Sequence, residues 1–318
     1  MGSFRQKRAR TCQFGHFLPI FQKLGKTWKT RWTPWNQGVI IPTLWKSLDM
    51  ASRPDNLPDY KQPPIREVVV GVQFSRLPIT GAHVGLFWST LRDELSEAVE
   101  QPFLEPNLES FGPLRAAPLK FEINFAVAPS RHWLASADKS ELIQLQVDRF
   151  IYNWRKTDKQ AYPRFEKIQA RFFHFYDKWI KFLADMKQTP SLTQWEVAYI
   201  NSIDLDGEDA DPGKILSFLG NQLDKAMTGP VEAGQIETQR VLVKNDAPWA
   251  RFYISAKTGI RIDQKPHLVL ELTVRGPATA TRGEFDLAEC QLDARQIIVA
   301  AFNELTTPEM HKRWEKIK

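Results

Sequence analysis

Glu67-Val68-Val69-Val70-Gly71-Val72-Gln73-Phe74 and Trp195-Glu196-Val197-Ala198-Tyr199-Ile200 are the two stretches on which the reading of the fold turns. Both are rich in β-branched and aromatic residues, as strands are. Each opens a similar succession. After the first, Val84, Phe87, Trp88, Leu91 and Leu95 fall on one stripe of an amphipathic helix. A loop punctuated by Pro102, Pro106, Pro113 and Pro118 leads to Phe121, Ile123, Phe125 and Val127, which alternate with Glu122, Asn124 and Ala126 as in a half-buried strand. Arg131–Ala135, Leu142–Val147 and Phe150–Trp154 read as three more strands, the last two joined by a tight turn at Asp148-Arg149. A helix follows from about Tyr162 to Met186. Pro163 suits its first turn, and Phe165, Ile168, Phe172, Phe175, Trp179 and Phe182 form its apolar face. After the second stretch come an acidic loop, a short helix around Ile215 to Leu223, and strands at Arg240–Val243, Arg251–Ser255 and His267–Val274. A helix over Leu287–Leu305 closes the chain and is re-initiated at Thr307-Pro308-Glu309.

The doubled order predicts an α+β chain of two tandem units: β-α-β(4)-α over 50–190 and β-α-β(3)-α over 191–318. Each unit is expected to wrap an antiparallel sheet around a long helix. The order resembles the helix-grip class and the duplicated TATA-binding-protein-like class, an analogy of architecture from which no function follows.

Residues 1–49 form a separate object. They hold nine basic residues against one acid, Asp49, together with Trp28, Trp32, Trp35 and Trp45 and no sustained periodicity. Three readings apply: a translation start at Met50 with an upstream artefact before it, a disordered basic tail meeting nucleic acid or anionic lipid, or a targeting presequence. The formal charge of the whole chain is +6, so residues 50–318 carry −2. Their bulk charge gives no nucleic-acid footprint. Cys12 and Cys290 have no CxxC spacing, which favours a reducing, cytoplasmic setting. No run approaches the roughly 20 apolar residues of a membrane span.

From Pro58 to Lys318 several words recur as a set. They are Pro63-Pro64-Ile65 with Glu67-Val68-Val69, Gln144-Leu145-Gln146 with Asp148-Arg149-Phe150, Asn153-Trp154-Arg155, Tyr162-Pro163-Arg164-Phe165-Glu166, and Phe302-Asn303-Glu304-Leu305-Thr306 with Trp314. In these the chain resembles a sporadically distributed bacterial family of uncharacterised function. The resemblance implies no reaction; sporadic occurrence would suit an accessory or defence-type locus.

Chemistry is sparse. The densest polar cluster holds Arg149, Asn153, Trp154, Arg155, Tyr162 and Arg164, flanked by Asp148 and Glu166. Guanidinium forks bind phosphate or carboxylate, so Arg149, Arg155 and Arg164 are candidates to converge on an anion. The bland reading is that Asp148 and Glu166 pair with these arginines and brace a strand-to-helix joint. Asp204, Asp206, Glu208, Asp209 and Asp211 surround Gly207, but the glycine stands at position 4 of a would-be calcium loop and Ile215 at position 12, so a solvated acidic turn is favoured. No HExxH, GxSxG, P-loop or GxGxxG is present, and no metal or cofactor is expected. His174, among Phe173, Phe175 and Tyr176, reads as a packed helix histidine, and Cys290 as a buried apolar residue. The expected function is a non-catalytic binding module for a protein partner or small ligand. The alternatives are an enzyme on an anionic substrate at Arg149/Arg155/Arg164 and nucleic-acid binding through the basic tail.

Overall fold

Two strands, β1 (Ile65–Phe74) and β6 (Leu192–Asp204), run antiparallel from Ile65↔Asn201 to Phe74↔Leu192 and form the middle of one large sheet. The computed structural model describes residues 54–106, 108–111, 130–158, 161–206, 211–218, 234–261, 263–279 and 285–318. The expected strand at Phe121–Val127 and the 1–49 extension lie outside these.

On one side of the central pair follow β5 (Arg149–Arg155), β4 (Glu141–Gln146), β3 (Arg131–Ala135) and β2 (Glu97–Gln101). On the other follow β9 (Pro266–Pro277), β8 (Ala247–Ile260) and β7 (Gln235–Lys244). All neighbours are antiparallel. The helices among the described residues are α1 (Gly81–Ser89), α2 (Phe165–Asp185), α3 (Pro212–Ile215), α4 (Leu287–Leu305) and α5 (Pro308–Arg313). None is long and apolar enough to cross a membrane.

This overturns the expectation of two tandem β-α-β(3–4)-α units, each gripping its own long helix in the helix-grip or TATA-binding-protein-like manner. The fold is α+β with a single nine-stranded antiparallel sheet. The physical reason lies in the opening strands. Each would be an edge in an isolated unit, with a row of unpaired N–H and C=O groups. Pairing β1 with β6 satisfies both rows at once.

The sheet's two faces differ in kind. Val68, Val70 and Val72 point with Phe150, Tyr152, Val197, Tyr199, Leu272 and Val274 toward the helices, and all are at most 3% exposed. α2 packs on β1 and β5, and α4 on β6 and β9. Rings interlock across this layer: Phe150 with Phe172 at 5.8 Å, Phe87 with Trp179 at 4.9 Å, Trp195 with Trp249 at 5.2 Å. Each such fully buried side chain contributes on the order of 2–3 kcal/mol by area. Gly276 makes the packing at Trp195 possible, since a Cβ there would lie 2.8 Å from the Trp195 ring and 2.9 Å from the Trp249 carbonyl oxygen.

Several local expectations need correction. β2 falls where the sequence predicts loop, since Glu97–Glu100 are exposed and show no apolar alternation. α1 stops at Ser89, so Leu91 and Leu95 fill the core from the turns beyond it. Pro163 precedes α2 rather than occupying its first turn. α3 ends at Ile215, and residues 219–223 are not described. His174 is not packed in the core. Its side chain is 40% exposed and its Nε2 lies 3.0 Å from Glu94.

Glu94 ties the segment after α1 to α2 through Lys178 at 2.6 Å, Arg171 at 3.0 Å and His174. Burial alone would raise its pKa. Hydrogen bonds from Lys178, His174 and Arg171 outweigh that and hold it at about 2, against an ordinary 4.5. A carboxylate with a depressed folded-state pKa contributes stability that is present above its unfolded pKa and lost as pH falls through the folded one. Glu94→Gln is therefore expected to lose less thermal stability than the wild type between pH 4.5 and pH 2. Parallel melting-temperature profiles over that window would refute the assignment. In the core, Gly276→Ala should cost about 1–3 kcal/mol by overpacking against Trp195; an unchanged urea midpoint would count against this packing.

Candidate functional site

The alternation of β5 separates the residues that the sequence grouped. Arg149, Asn153 and Arg155 pair with Gln73, Val69 and Glu67 of β1 on the face away from the helices. Trp154, one residue off, points to the helix side and meets the Tyr162 ring at 5.5 Å. Arg164 stands at the start of α2. The three guanidiniums thus do not converge. Arg149 donates to Asp148 at 3.3 Å and to the Glu105 carbonyl at 3.1 Å, Arg155 pairs with Glu67 at 3.1 Å, and Arg164 pairs with Asp59. Asp148 pairs with Arg149 at the β4–β5 turn, away from the strand-to-helix joint, and Glu166 pairs with Arg295.

The outer face is a bonded polar layer. Arg131 and Trp133 donate to Gln144, Gln144 to Asn153 at 2.9 Å, and Asn153 to Glu67 at 2.6 Å. Residues 104–106 and 108–111 lie on this face. Leu104 exchanges two 2.9 Å hydrogen bonds with Gln146, the Glu109 N–H donates to Gln194, and the Glu109 carboxylate receives Arg251 and Tyr253. Of the acidic residues read as a turn, Asp204 is paired by Arg261, Asp206 by Arg313, and Asp211 by the Gly213 N–H; Glu208 and Asp209 lie outside the described residues.

Tyr162 and Arg164 belong instead to a cavity of about 60 Å³ on the helix side, open at one end. Its floor is Tyr199 and Asn201 of β6 with Leu272 of β9, and its walls include Phe165 of α2 and Ile298, Val299 and Phe302 of α4. The segment 58–63 forms the rim. The rim is held by the C-terminal segment: Asp59 and Lys61 donate backbone N–H groups to Lys318 and Glu315, and the Asp59 carbonyl accepts from Ile317. Tyr60 packs edge-on to Phe302 and Trp314 and donates its hydroxyl to Asn303. A register shift between Ile65 and Glu67 in the β1–β6 ladder sets Ile65 opposite Asn201 at this spot, the kind of irregularity that re-aims side chains beside a site.

Inside the cavity the Tyr162 and Tyr199 hydroxyls are 3.0 Å apart. Burial pushes the Tyr162 phenol up to about 12 and the Tyr199 phenol well above its ordinary value, so both stay neutral. Arg295, 3% exposed, pairs with Glu166, and its Nε has no hydrogen-bond partner. Burying such a donor unmet costs about 1–3 kcal/mol. No side chain caps the first turn of α2. The chain enters that turn through Arg164 at φ 78°, ψ 152°, a region that is essentially glycine's own.

The sequence pointed to Tyr162 and Arg164 but not to Tyr199, Glu166 as partner of Arg295, or Arg295 itself. One signal was available. Leu287, Gln291, Ala294, Arg295, Ile298 and Phe302 share the buried stripe of α4, so two polar residues interrupt an apolar face. No protein-family model and no curated protein matches the chain.

Backbone strain at Arg164 gives a separable test. Arg164→Ala and Arg164→Gly both remove the ion pair to Asp59, and only glycine relieves the backbone. The glycine variant should be the more stable of the two by about 1–2 kcal/mol. Equal urea midpoints would show that the unusual conformation costs nothing.

Proposed function

We propose that the chain is a non-catalytic binding module whose ligand site is the cavity between the first turn of α2, α4 and the β6 floor. One observation carries this reading. Two tyrosine hydroxyls, the Asn201 amide and an apolar wall share one concave space beside the buried Arg295–Glu166 pair. A well-formed apolar pocket with a few convergent polar groups is the arrangement small-ligand sites use. The alternative of an enzyme working on an anionic substrate at Arg149, Arg155 and Arg164 finds no such support, since each guanidinium is committed to a carboxylate of the protein. Nucleic-acid binding through the basic extension concerns residues outside those described. A bacterial accessory or defence-type setting, suggested by the resemblance over Pro58–Lys318, is part of the same proposal.

Ligand-observed NMR with a small-fragment library tests it. Fragments should bind the wild type and be lost in Val299→Trp, which fills the cavity wall, while circular dichroism and melting show the variant folded. A library without hits, or hits that persist in the folded variant, would overturn the reading.

A further inference from the structure

Resting on that reading, we propose that the cavity recognises an uncharged amide head group on an apolar body, one that both accepts and donates hydrogen bonds, and excludes both carboxylates and amines. Size sets the first limit. A space of about 60 Å³ takes a head group of a few heavy atoms; a dry cavity of about 150 Å³ is what holds a whole benzene ring.

Hydrogen-bond capacity sets the second. The two tyrosines own two O–H groups and share one mutual bond, which leaves one O–H to donate. Asn201 on the floor donates its amide N–H to the Leu270 carbonyl, which leaves its side-chain oxygen to accept. The complementary ligand therefore both accepts and donates. Because both phenols stay neutral, this capacity holds across the physiological pH range.

Charge sets the third. The charged side chains of the lining are Asp59, Arg164, Glu166 and Arg295, and they form two ion pairs, Arg164 with Asp59 and Arg295 with Glu166. The Arg295–Glu166 pair is the more buried, with side chains 4% and 16% exposed. An anion entering here meets arginines whose charge is already answered, and it still loses its own hydration, a cost of several kcal/mol. The end of a helix offers only about half a charge in return, and Glu166 in the first turn of α2 opposes it. An ammonium brings three donors to a space with few acceptors and likewise loses its hydration. An uncharged amide loses less hydration and finds both a donor and an acceptor.

Propionamide, propionate and propylammonium are close in shape and differ in charge. They can be titrated into the full chain and followed by amide shifts in transverse-relaxation-optimised spectra. Propionamide should produce saturable shifts at Tyr162, Phe165, Tyr199 and Arg295, and bind about fivefold or more tightly than the other two. Tyr162→Phe should weaken it. Glu166→Gln, which leaves Arg295 unanswered, should turn the preference toward propionate. Propionate or propylammonium binding the wild type at these residues as well as propionamide would overturn the ligand class and leave the pocket standing. Saturable shifts with none of the three would overturn the binding-site reading itself.

Discussion

The pairing of β1 with β6 is the constraint on which the remaining structure depends. It joins the two opening strands over a ladder from Ile65 to Phe74 and leaves neither exposed as an edge. The other strands then add outward, β5 to β2 on one side and β9 to β7 on the other. Gly71 sits at the middle of the ladder, between Ile151 of β5 and Glu196 of β6. A Cβ there would lie 3.2 Å from both side chains, so the bare backbone lets them close over the seam. With the seam fixed, α2 and α4 have one common face to cover, and they meet above it.

That common face explains why the chain carries so much aromatic surface. A sheet of nine strands presents two broad faces and has helices for only one. The helix face is closed by rings: Phe165, Phe172, Phe175 and Trp179 of α2 are each at most 2% exposed. The other face meets the same problem by a different route. Gln144, Gln146, Asn153 and Gln194 are at most 7% exposed, and each of them is hydrogen-bonded. A buried amide left unmet costs about 1–3 kcal/mol, more than the roughly 1 kcal/mol net that a made hydrogen bond gains. Bonding these amides to one another is therefore what lets the layer be buried. Arg149 and Arg155 belong to this economy. They hold the Glu105 carbonyl and Glu67.

Periodicity made most single elements legible. Arg131–Ala135 and Leu287–Leu305 fall where alternation and the apolar stripe put them. What periodicity omits is which edge meets which. Nothing local in Glu67–Phe74 distinguishes a strand that ends one sheet from a strand that continues into another. The same gap hid the site. Glu166 and Arg295 are 129 residues apart, and Arg164 and Asp59 are 105 apart. Reading Asp148–Glu166 as one cluster took closeness in sequence for closeness in space. A strand's period of two then sent Asn153 and Trp154 to opposite faces.

The separation of these partners also bears on what the cavity is. Its floor comes from β6 and β9, its walls from α2 and α4, and its rim from residues 58–63 pinned by the C-terminal segment. No single element holds it, so its geometry exists only once the segment 58–63, the C-terminal segment, the sheet and both helices are in place. At this spot the chain enters α2 through a conformation at Arg164 that costs of order 1–3 kcal/mol. Buried nitrogens without partners also occur elsewhere, at Arg131, Gln291 and His267, and positive φ recurs at Lys139 and Lys187. What sets this spot apart is that strained backbone, two phenols and a buried ion pair border one concave space, where a ligand rather than the chain itself can complete the bonding.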